Sequence, residues 1–413
     1  MQEEAPLTAD LGILRDDVTA RLRFGDRVAG RLRNDPLVSD SGDVRSLRPG
    51  RVARVMILDG EREHRHEMVV ALHACYDVED YLDGRLALDR AYTLRPDLIL
   101  IDENVGPDGG LQIIHSLVRD PLLREIPFIC TTAVVDTGFA TEALRLGARQ
   151  VLRKPFRVGV FLQAVSSTLN RRIEDSWEEL EPVQRDALRN TLSVFNGIAD
   201  TLSGTAELPF RQIKAGCAPL VEAVTNAHFR DVLSGVRDYD NYTYAHSLRV
   251  ATFLAVFGHG IGLRDNDLMV LTSGGLMHDV GKIGIPHRIL NKPGRLDDGE
   301  WHIMRSHVTR TADVLRSCIG VPNGALVVAE QHHEKLDGTG YPNGLKGTQI
   351  NNLARMAAIC DVFGALTDRR AYKAPMPAEK ALTIMVNMGQ ALDPYLLRLF
   401  RDILLDQGDQ LEL

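Results

Sequence analysis

Residues 278–286 read HDVGKIGIP, and residues 332–342 read HHEKLDGTGYP. Each stretch places histidine next to an acidic side chain, a pattern typical of metal sites. Neutral imidazole and carboxylate are preferred ligands of first-row divalent ions, and one aspartate can bridge two ions through its separate oxygens. Two such ions about 3.5–4 Å apart acidify a bridging water and hold the attacking and leaving oxygens of a phosphodiester. The two stretches predict hydrolytic metal chemistry that needs no protein nucleophile.

The sequence around these stretches has helical periodicity. Residues 174–195 and 218–236 carry apolar side chains at helical spacing, and no strand pattern follows residue 169. We therefore predict that the chain is all-α from about residue 175.

The sequence before residue 170 has a different pattern of apolar and polar residues. Short apolar runs such as VMIL (55–58), DLILID (97–102) and PFICTTA (127–133) alternate with amphipathic segments. This alternation predicts a flavodoxin-like α/β domain with a parallel sheet covered on both faces. Reactive groups of such sheets lie beyond the carboxyl ends of the strands. The side chains at these ends are Asp59, Asp102, Thr132 and Lys154.

Composition excludes several classes of protein. The 413 residues carry a net charge of -8, which argues against a nucleic-acid partner or an anionic membrane surface. Apolar runs are shorter than the roughly 18–20 residues that span a bilayer. Five scattered cysteines without CxxC spacing argue against a disulfide framework and favour a reducing cytoplasm. We expect a cytoplasmic protein whose first 50 residues form a flexible arm.

The second half of the chain resembles the HD-GYP subgroup of the HD phosphohydrolases, over about residues 175–400. The matching stretches are YTYAHSLRV (242–250), MHDVGKIGIPHRIL (277–290), HHEKLDGTGYP (332–342) and ARMAAICDVFGALTDRRAYK (354–373). The resemblance implies hydrolysis of cyclic di-GMP by two divalent transition metal ions, with Fe or Mn favoured. Tyr242 stands where three-metal members have a glutamate, so we expect two ions rather than three.

The same resemblance implies a role for individual residues. The implied metal ligands, with Asp279 bridging, are His246, His278, Asp279, His307, His332, His333 and Asp361. His302 is the rival of His307 on the same predicted helix. Asp279 and Lys282 are implied as catalytic residues, with Lys282 placed on the helix of His278. The implied substrate contacts are Lys282, Gly340, Tyr341, Pro342, Arg370 and Lys373.

Residues 52–170 resemble the receiver domain of response regulators. The resemblance implies that Asp102 accepts a phosphoryl group and that Asp59 helps to hold Mg²⁺. The other implied pocket groups are the backbone carbonyl of Asn104 and the side chains of Thr132 and Lys154. The chain departs from the family at Gly60, where a second acid is usual. Loss of that carboxylate should weaken Mg²⁺ binding, although Glu61 or Glu63 could substitute through water.

We therefore predict a multidomain response regulator of two-component signalling. Its parts are an arm (1–50), a receiver-like domain (51–170), a helical linker (171–195) and an HD-GYP domain (196–413). The HD-GYP domain would hydrolyse cyclic di-GMP to linear pGpG and/or GMP. The implied partners are a sensor histidine kinase, a diguanylate cyclase or other signalling proteins, and a second copy in a homodimer. Alternatives are hydrolysis of another cyclic dinucleotide or nucleotide phosphate, and an adaptor that binds a cyclic dinucleotide without turnover.

Overall fold

The computed structural model describes most of the chain from residue 52 to residue 406. Within that span, the residues outside the description are 74, 135–137, 203–207, 291, 293 and 369–374. The predicted arm at residues 1–50 also lies outside the described residues, as do the predicted phosphate contacts Arg370 and Lys373.

The first half of the described chain is a five-stranded parallel sheet with the strand order β2-β1-β3-β4-β5. The strands are β1 (Arg54–Leu58), β2 (Asp77–Tyr81), β3 (Leu98–Asp102), β4 (Phe128–Thr132) and β5 (Val151–Arg153). The helices between and after them are α1 (Arg62–Leu72), α2 (Gly84–Leu94), α3 (Gly110–Arg119), α4 (Gly138–Arg145) and α5 (Val158–Leu169). The predicted flavodoxin-like sheet is confirmed.

Side chains of the sheet alternate between two apolar cores, as the pleat of a strand requires. Val55 and Ile57 of β1 pack with α1 and α5 on one face. Met56 and Leu58 pack with α2, α3 and α4 on the other face. Because both faces are covered, the strands read as almost continuous apolar runs in the sequence.

The second half of the described chain is helical, as predicted. Its helices are α6 (Arg171–Ser176), α7 (Pro182–Leu202), α8 (Phe210–Thr225), α9 (Phe229–Gly235), α10 (Tyr242–Gly260), α11 (Asp265–Met277), α12 (His287–Leu290), α13 (Asp298–Ser317), α14 (Asn323–Gln331), α15 (Asn352–Thr367), α16 (Ala378–Asn387) and α17 (Pro394–Asp406). Helix α10 is buried almost all round and packs against α11 and α15 at the centre of one apolar core. None of the described helices combines the length and hydropathy that a membrane span requires.

The segment predicted as a linker contributes to the helical core. Trp177 is buried, and its indole Nε1 donates a hydrogen bond to the Gly235 carbonyl at 2.9 Å. The boundary predicted at residue 195 falls inside α7, which continues to Leu202. Near its C-terminal end, Asp200 accepts a hydrogen bond from the Gly159 backbone at 2.6 Å, at the start of α5. Helix α7 therefore joins the helical core to the sheet domain.

Candidate metal centre and receiver pocket

Metal-ligating side chains from five parts of the helical domain converge on one buried point. Two groups of four lie close enough to hold an ion each, and Asp279 belongs to both groups. The first group is His246, His278, Asp279 and Asp361; the second is Asp279, His307, His332 and His333. These are the seven residues that the resemblance implied, and all are buried except the half-buried His333.

Backbone carbonyls fix the orientation of three of these histidines. The Nδ1 atoms of His278, His307 and His332 each lie 2.6–2.9 Å from the carbonyl oxygen three residues earlier in the chain. A carbonyl oxygen can only accept, so each Nδ1 must carry the hydrogen. Each Nε2 atom therefore presents a lone pair to the centre, which is the orientation that a metal ligand needs.

The atoms facing the centre have no hydrogen-bond partner among the described residues. They are the Nε2 atoms of His278, His307 and His332 and the Oδ1 atom of Asp279. Yet His307 Nε2 lies only 3.2 Å from Asp279 Oδ1, and His278 Nε2 lies 3.3 Å from Asp279 Oδ2. Lone pairs at such distances repel each other unless a cation lies between them. The donor set therefore fits two divalent ions that share Asp279.

The protonation states of the centre suit metal binding. Burial raises the pKa of Asp279, but the neighbouring Lys282 ammonium outweighs burial and holds that pKa well below its usual range. Burial lowers the pKa of His332 to about 3, so this imidazole is neutral at neutral pH. Burial also lowers the pKa of His246, but hydrogen bonds to Asp361 and Asp368 outweigh it and raise the value to about 9. Ion binding there must displace a proton.

Lys282 lies beside the shared carboxylate but not on the helix of His278. Helix α11 ends at Met277, and Lys282 belongs to a separate 3₁₀ helix, Val280–Gly284. The prediction that Lys282 and His278 share a helix was therefore wrong. The Lys282 ammonium forms an ion pair with Asp279 Oδ2. It is placed to balance charge at the centre.

The loop that follows His333 is held by Glu334 and by the small size of Gly340. Glu334 is buried and accepts hydrogen bonds from the backbone amides of Asn343 and Leu345, at 2.7 and 2.9 Å. A Cβ atom on Gly340 would lie 2.6 Å from the carbonyl oxygen of His333, so only glycine fits. These constraints explain the positions of the acid Glu334 and of Gly340 in HHEKLDGTGYP.

The loop brings Tyr341 over the metal centre, while Pro342 after it is exposed. The Tyr341 ring centroid lies 4.7 Å from that of the His333 ring, and the two ring planes are tilted by 31°. The guanidinium of Arg305 lies between two rings, 5.2 Å from Tyr341 and 5.6 Å from Trp301. This arrangement places a cation at the rim of the centre. Nothing in the sequence marks Arg305 as a site residue, because it is an exposed side chain on α13.

The receiver pocket forms where the strands of the sheet end. Lys154 Nζ lies 2.6 Å from Asp59 Oδ2 and 2.7 Å from Asp102 Oδ2, so one ammonium pairs with both carboxylates and offsets one of their two charges. The hydroxyl of Thr131 donates to Asp102 at 2.8 Å. Thr132 instead donates its hydroxyl to the Glu103 carboxylate. The structure thus places Thr131, rather than Thr132, against Asp102, and the bond from Thr132 to a phosphoryl group on Asp102 stays a prediction.

Residues 55–166 match the response regulator receiver domain, and residues 235–396 match the HD domain. The cyclic di-GMP phosphodiesterase response regulator RpfG of Xanthomonas campestris is 30% identical over 325 residues, which cover 77% of this chain and 78% of that protein. The chain belongs to the HD-domain response regulators. The predicted family resemblance is confirmed in both halves.

Other relatives of this HD-domain response regulator match its second half. A cyclic di-GMP phosphodiesterase of Pseudomonas aeruginosa is 39% identical over 182 residues, 44% of each chain. A 3′3′-cGAMP-specific phosphodiesterase of Vibrio cholerae is 41% identical over 154 residues, 37% of this chain and 33% of that protein. The chain thus spans less than half the length of these two relatives.

The structure bears on two sequence predictions for this response regulator: the preference for His307 over His302 as a ligand, and the expectation of two ions from Tyr242. His302 is exposed on α13, whereas His307 of the same helix is buried in the second metal group. Tyr242 lies one turn before His246, and the two rings stack with centroids 5.7 Å apart. A phenol with its ordinary pKa near 10 is a poor metal ligand at neutral pH.

The sequence reasoning missed several polar side chains at both sites. In the receiver pocket these are Thr131, Glu103 and His64, whose Nδ1 lies 3.2 Å from Lys154 Nζ. Around the metal centre they are Arg305, Glu334 and Asp368, the last of which lies 2.7 Å from His246 Nδ1. The only advance signal was Glu334, which directly follows the paired histidines.

We expect Asp102 to accept phosphate poorly, and Gly60→Asp not to improve it. A Cβ atom on residue 60 would lie 2.7 Å from the Asn104 carbonyl oxygen, so an acid there has no room to reach an ion. Labelling by a small phosphodonor with Mg²⁺, compared with Asp102→Asn, measures the effect. Gly138→Asp is the control, because a Cβ on Gly138 meets no atom of the described residues within 4 Å. A clear gain of Mg²⁺-dependent labelling in Gly60→Asp would contradict this expectation.

Proposed function

We propose that this response regulator hydrolyses cyclic di-GMP at a centre of two divalent ions, with Fe or Mn favoured. The observation that carries the proposal is the pair of four-residue groups that share Asp279. A shared carboxylate between two ions is the arrangement that phosphodiester hydrolysis uses. The names of the relatives of similar sequence support cyclic di-GMP as the substrate.

The ions, when bound, supply an acidified water and positive charge at the phosphodiester. In the proposed reaction one water would add across the bond from phosphorus to the ribose oxygen, and that bond would break. The ribose oxygen leaves with a proton, and the product is linear pGpG, or GMP after a second cleavage. The carboxylate of Asp279 fixes the geometry, and the nearby ammonium of Lys282 balances the negative charge that develops.

The acidic chain must hold a dianionic substrate by local cations. Lys282 lies inside the centre and Arg305 at its rim. Arg370 and Lys373, outside the described residues, are proposed as further phosphate contacts. The loop of Gly340, Tyr341 and Pro342 is proposed to shape the substrate side, with Tyr341 and Arg305 offering flat faces for a base.

We further propose that a sensor histidine kinase acts through the receiver domain. The receiver contacts the residues that begin α10, the helix of His246. The Asp240 amide donates to Asn170 Oδ1 at 2.7 Å, and Cys75 Sγ donates to Asn241 Oδ1 at 3.8 Å. Asn241 also caps α10 by accepting from Tyr244 N. A change in the receiver would therefore reach the metal centre through α10. We also propose that the protein forms a homodimer.

A second candidate substrate is 3′3′-cGAMP, because relatives specific for it match the catalytic half. Steady-state hydrolysis of both dinucleotides by metal-loaded protein separates the two. We expect the higher kcat/KM with cyclic di-GMP. A higher value with 3′3′-cGAMP would transfer the proposal to that substrate, and tight binding without any product would favour a non-hydrolytic adaptor.

A further inference from the structure

His246 differs from the other histidines of the two metal groups in what holds its Nδ1 atom. His278, His307 and His332 use backbone carbonyls. His246 Nδ1 instead lies 2.7 Å from Oδ2 of Asp368, a buried carboxylate. An ionised carboxylate only accepts, so Nδ1 carries the hydrogen and Nε2 faces the centre, 3.0 Å from Asp361 Oδ1.

Asp368 is itself held in place. It follows the last residue of α15, and its backbone amide donates to the Gly364 carbonyl at 2.7 Å. The buried guanidinium of Arg249, on α10, forms an ion pair with Asp368 Oδ1. Arg249 also donates to the Thr367 hydroxyl at 3.4 Å. One carboxylate thus ties the histidine and the arginine of α10 to the end of α15.

The glycine at residue 364 explains why the carboxylate that contacts His246 Nδ1 comes from Asp368. Residue 364 lies one helical turn before Asp368, and its backbone faces His246. A Cβ atom there would lie 3.5 Å from His246 Cε1 and 3.7 Å from His246 Nδ1. A carboxylate at residue 364 could therefore reach the same imidazole, but glycine offers none. The carboxylate that contacts Nδ1 of His246 is instead that of Asp368, at 2.7 Å.

We propose that Asp368 is a positioning residue that fixes the tautomer and the ring orientation of His246 for the first metal group. It acts through His246 and touches no reacting atom. Outer carboxylates of this kind raise ligand basicity and typically change metal affinity by about 10- to 100-fold. The inference rests on the proposed metal centre, and it deepens the account of how that centre is assembled.

Metal titration of the full chain, stripped of ions and supplied with Mn²⁺, tests this inference. We expect Asp368→Ala to lower the affinity for the ion of the first metal group by about 10- to 100-fold. The ion held by His307, His332 and His333 should stay bound. Asp368→Asn should lose less, because its amide oxygen still accepts from Nδ1. Gly364→Asp added to Asp368→Ala should restore part of the affinity, since it returns a carboxylate to the same ring.

Thermal unfolding with and without Mn²⁺ separates positioning from structural support. Asp393→Ala is the matched control, because it breaks another Asp–Arg pair, Asp393 with Arg355 at 3.1 Å, away from the centre. The control should lower Tm equally in both conditions, whereas Asp368→Ala should reduce the gain in Tm that Mn²⁺ provides. Arg249→Leu with Asp368→Ala avoids an unpaired buried cation if the single variant folds poorly.

Unchanged affinity for both ions in these Asp368 variants would overturn the inference. A wild-type chain that binds no pair of ions would instead overturn the proposed function. The two failures are therefore distinguishable.

Discussion

Replacing Asp279 with alanine is expected to remove both ions and to lower the rate of cyclic di-GMP hydrolysis by at least about 10³-fold, since one lost electrostatic contact alone costs about 10²–10³. Asp279 is the member common to both metal groups, so no other residue in either group can replace it. Its carboxylate lies among the lone pairs of three histidines. Removing it relieves that repulsion, so the ion-free variant should remain folded.

Asp361→Ala is the comparison for this variant, because Asp361 belongs to only one of the groups. The Asp361→Ala variant should lose one bound ion, whereas Asp279→Ala should lose two. Metal analysis, circular dichroism and turnover on the same samples measure these effects. Wild-type turnover by folded Asp279→Ala protein would eliminate the proposed centre.

Replacing Gly340 with alanine is expected to cause the second large loss. The new Cβ would lie 2.5 Å from Glu334 Cα and 2.6 Å from the His333 carbonyl oxygen. Backbone atoms cannot yield as a flexible side chain can, so the loop must move away from Glu334. The displacement should break the hydrogen bond from the Tyr341 amide to the His333 carbonyl, now 3.2 Å, and the tilted contact between the two rings. We expect a destabilisation of about 1–3 kcal/mol and weaker binding of the ion near His333.

Gly197→Ala is the matched control for the Gly340 variant. Gly197 lies inside helix α7, where alanine is favoured over glycine, and among the described residues its Cβ would meet Leu208 Cδ1 alone, at 3.9 Å. Denaturant unfolding and turnover measure both variants. If Gly340→Ala behaved like Gly197→Ala, the loop would not need glycine and its proposed role in shaping the site would fail.

The sequence predicted features that are local and misjudged those that depend on packing between elements. The alternating runs were sufficient for the parallel sheet, and the resemblance to the HD-GYP subgroup supplied the residues of the two metal groups. Thr131 was missed because the exact pleat at the end of β4 decides which hydroxyl meets Asp102. Lys282 was placed on the wrong element because α11 ends before His278, and no breaker residue marks that end.

Asp368 was missed for a related reason. It lies near His246 only because α10 packs against α15, a contact between residues 122 positions apart in the sequence. The boundary predicted at residue 195 falls inside α7, and Trp177, which precedes it, donates a hydrogen bond to Gly235, far along the chain. Such long-range contacts leave no periodic signal in a single sequence.

The number of ions in active protein tests the central claim most directly. We expect two ions per chain, because Asp279 belongs to two metal groups. The side chain stacked on His246 is the phenol of Tyr242, where a third ion would need a carboxylate. Protein purified without oxygen, fully loaded and hydrolysing cyclic di-GMP should give a metal-to-protein ratio near two. A reproducible ratio of three, with an ion beside Tyr242, would contradict the two-ion centre. Turnover that persists after all metal is removed would contradict metal-dependent hydrolysis.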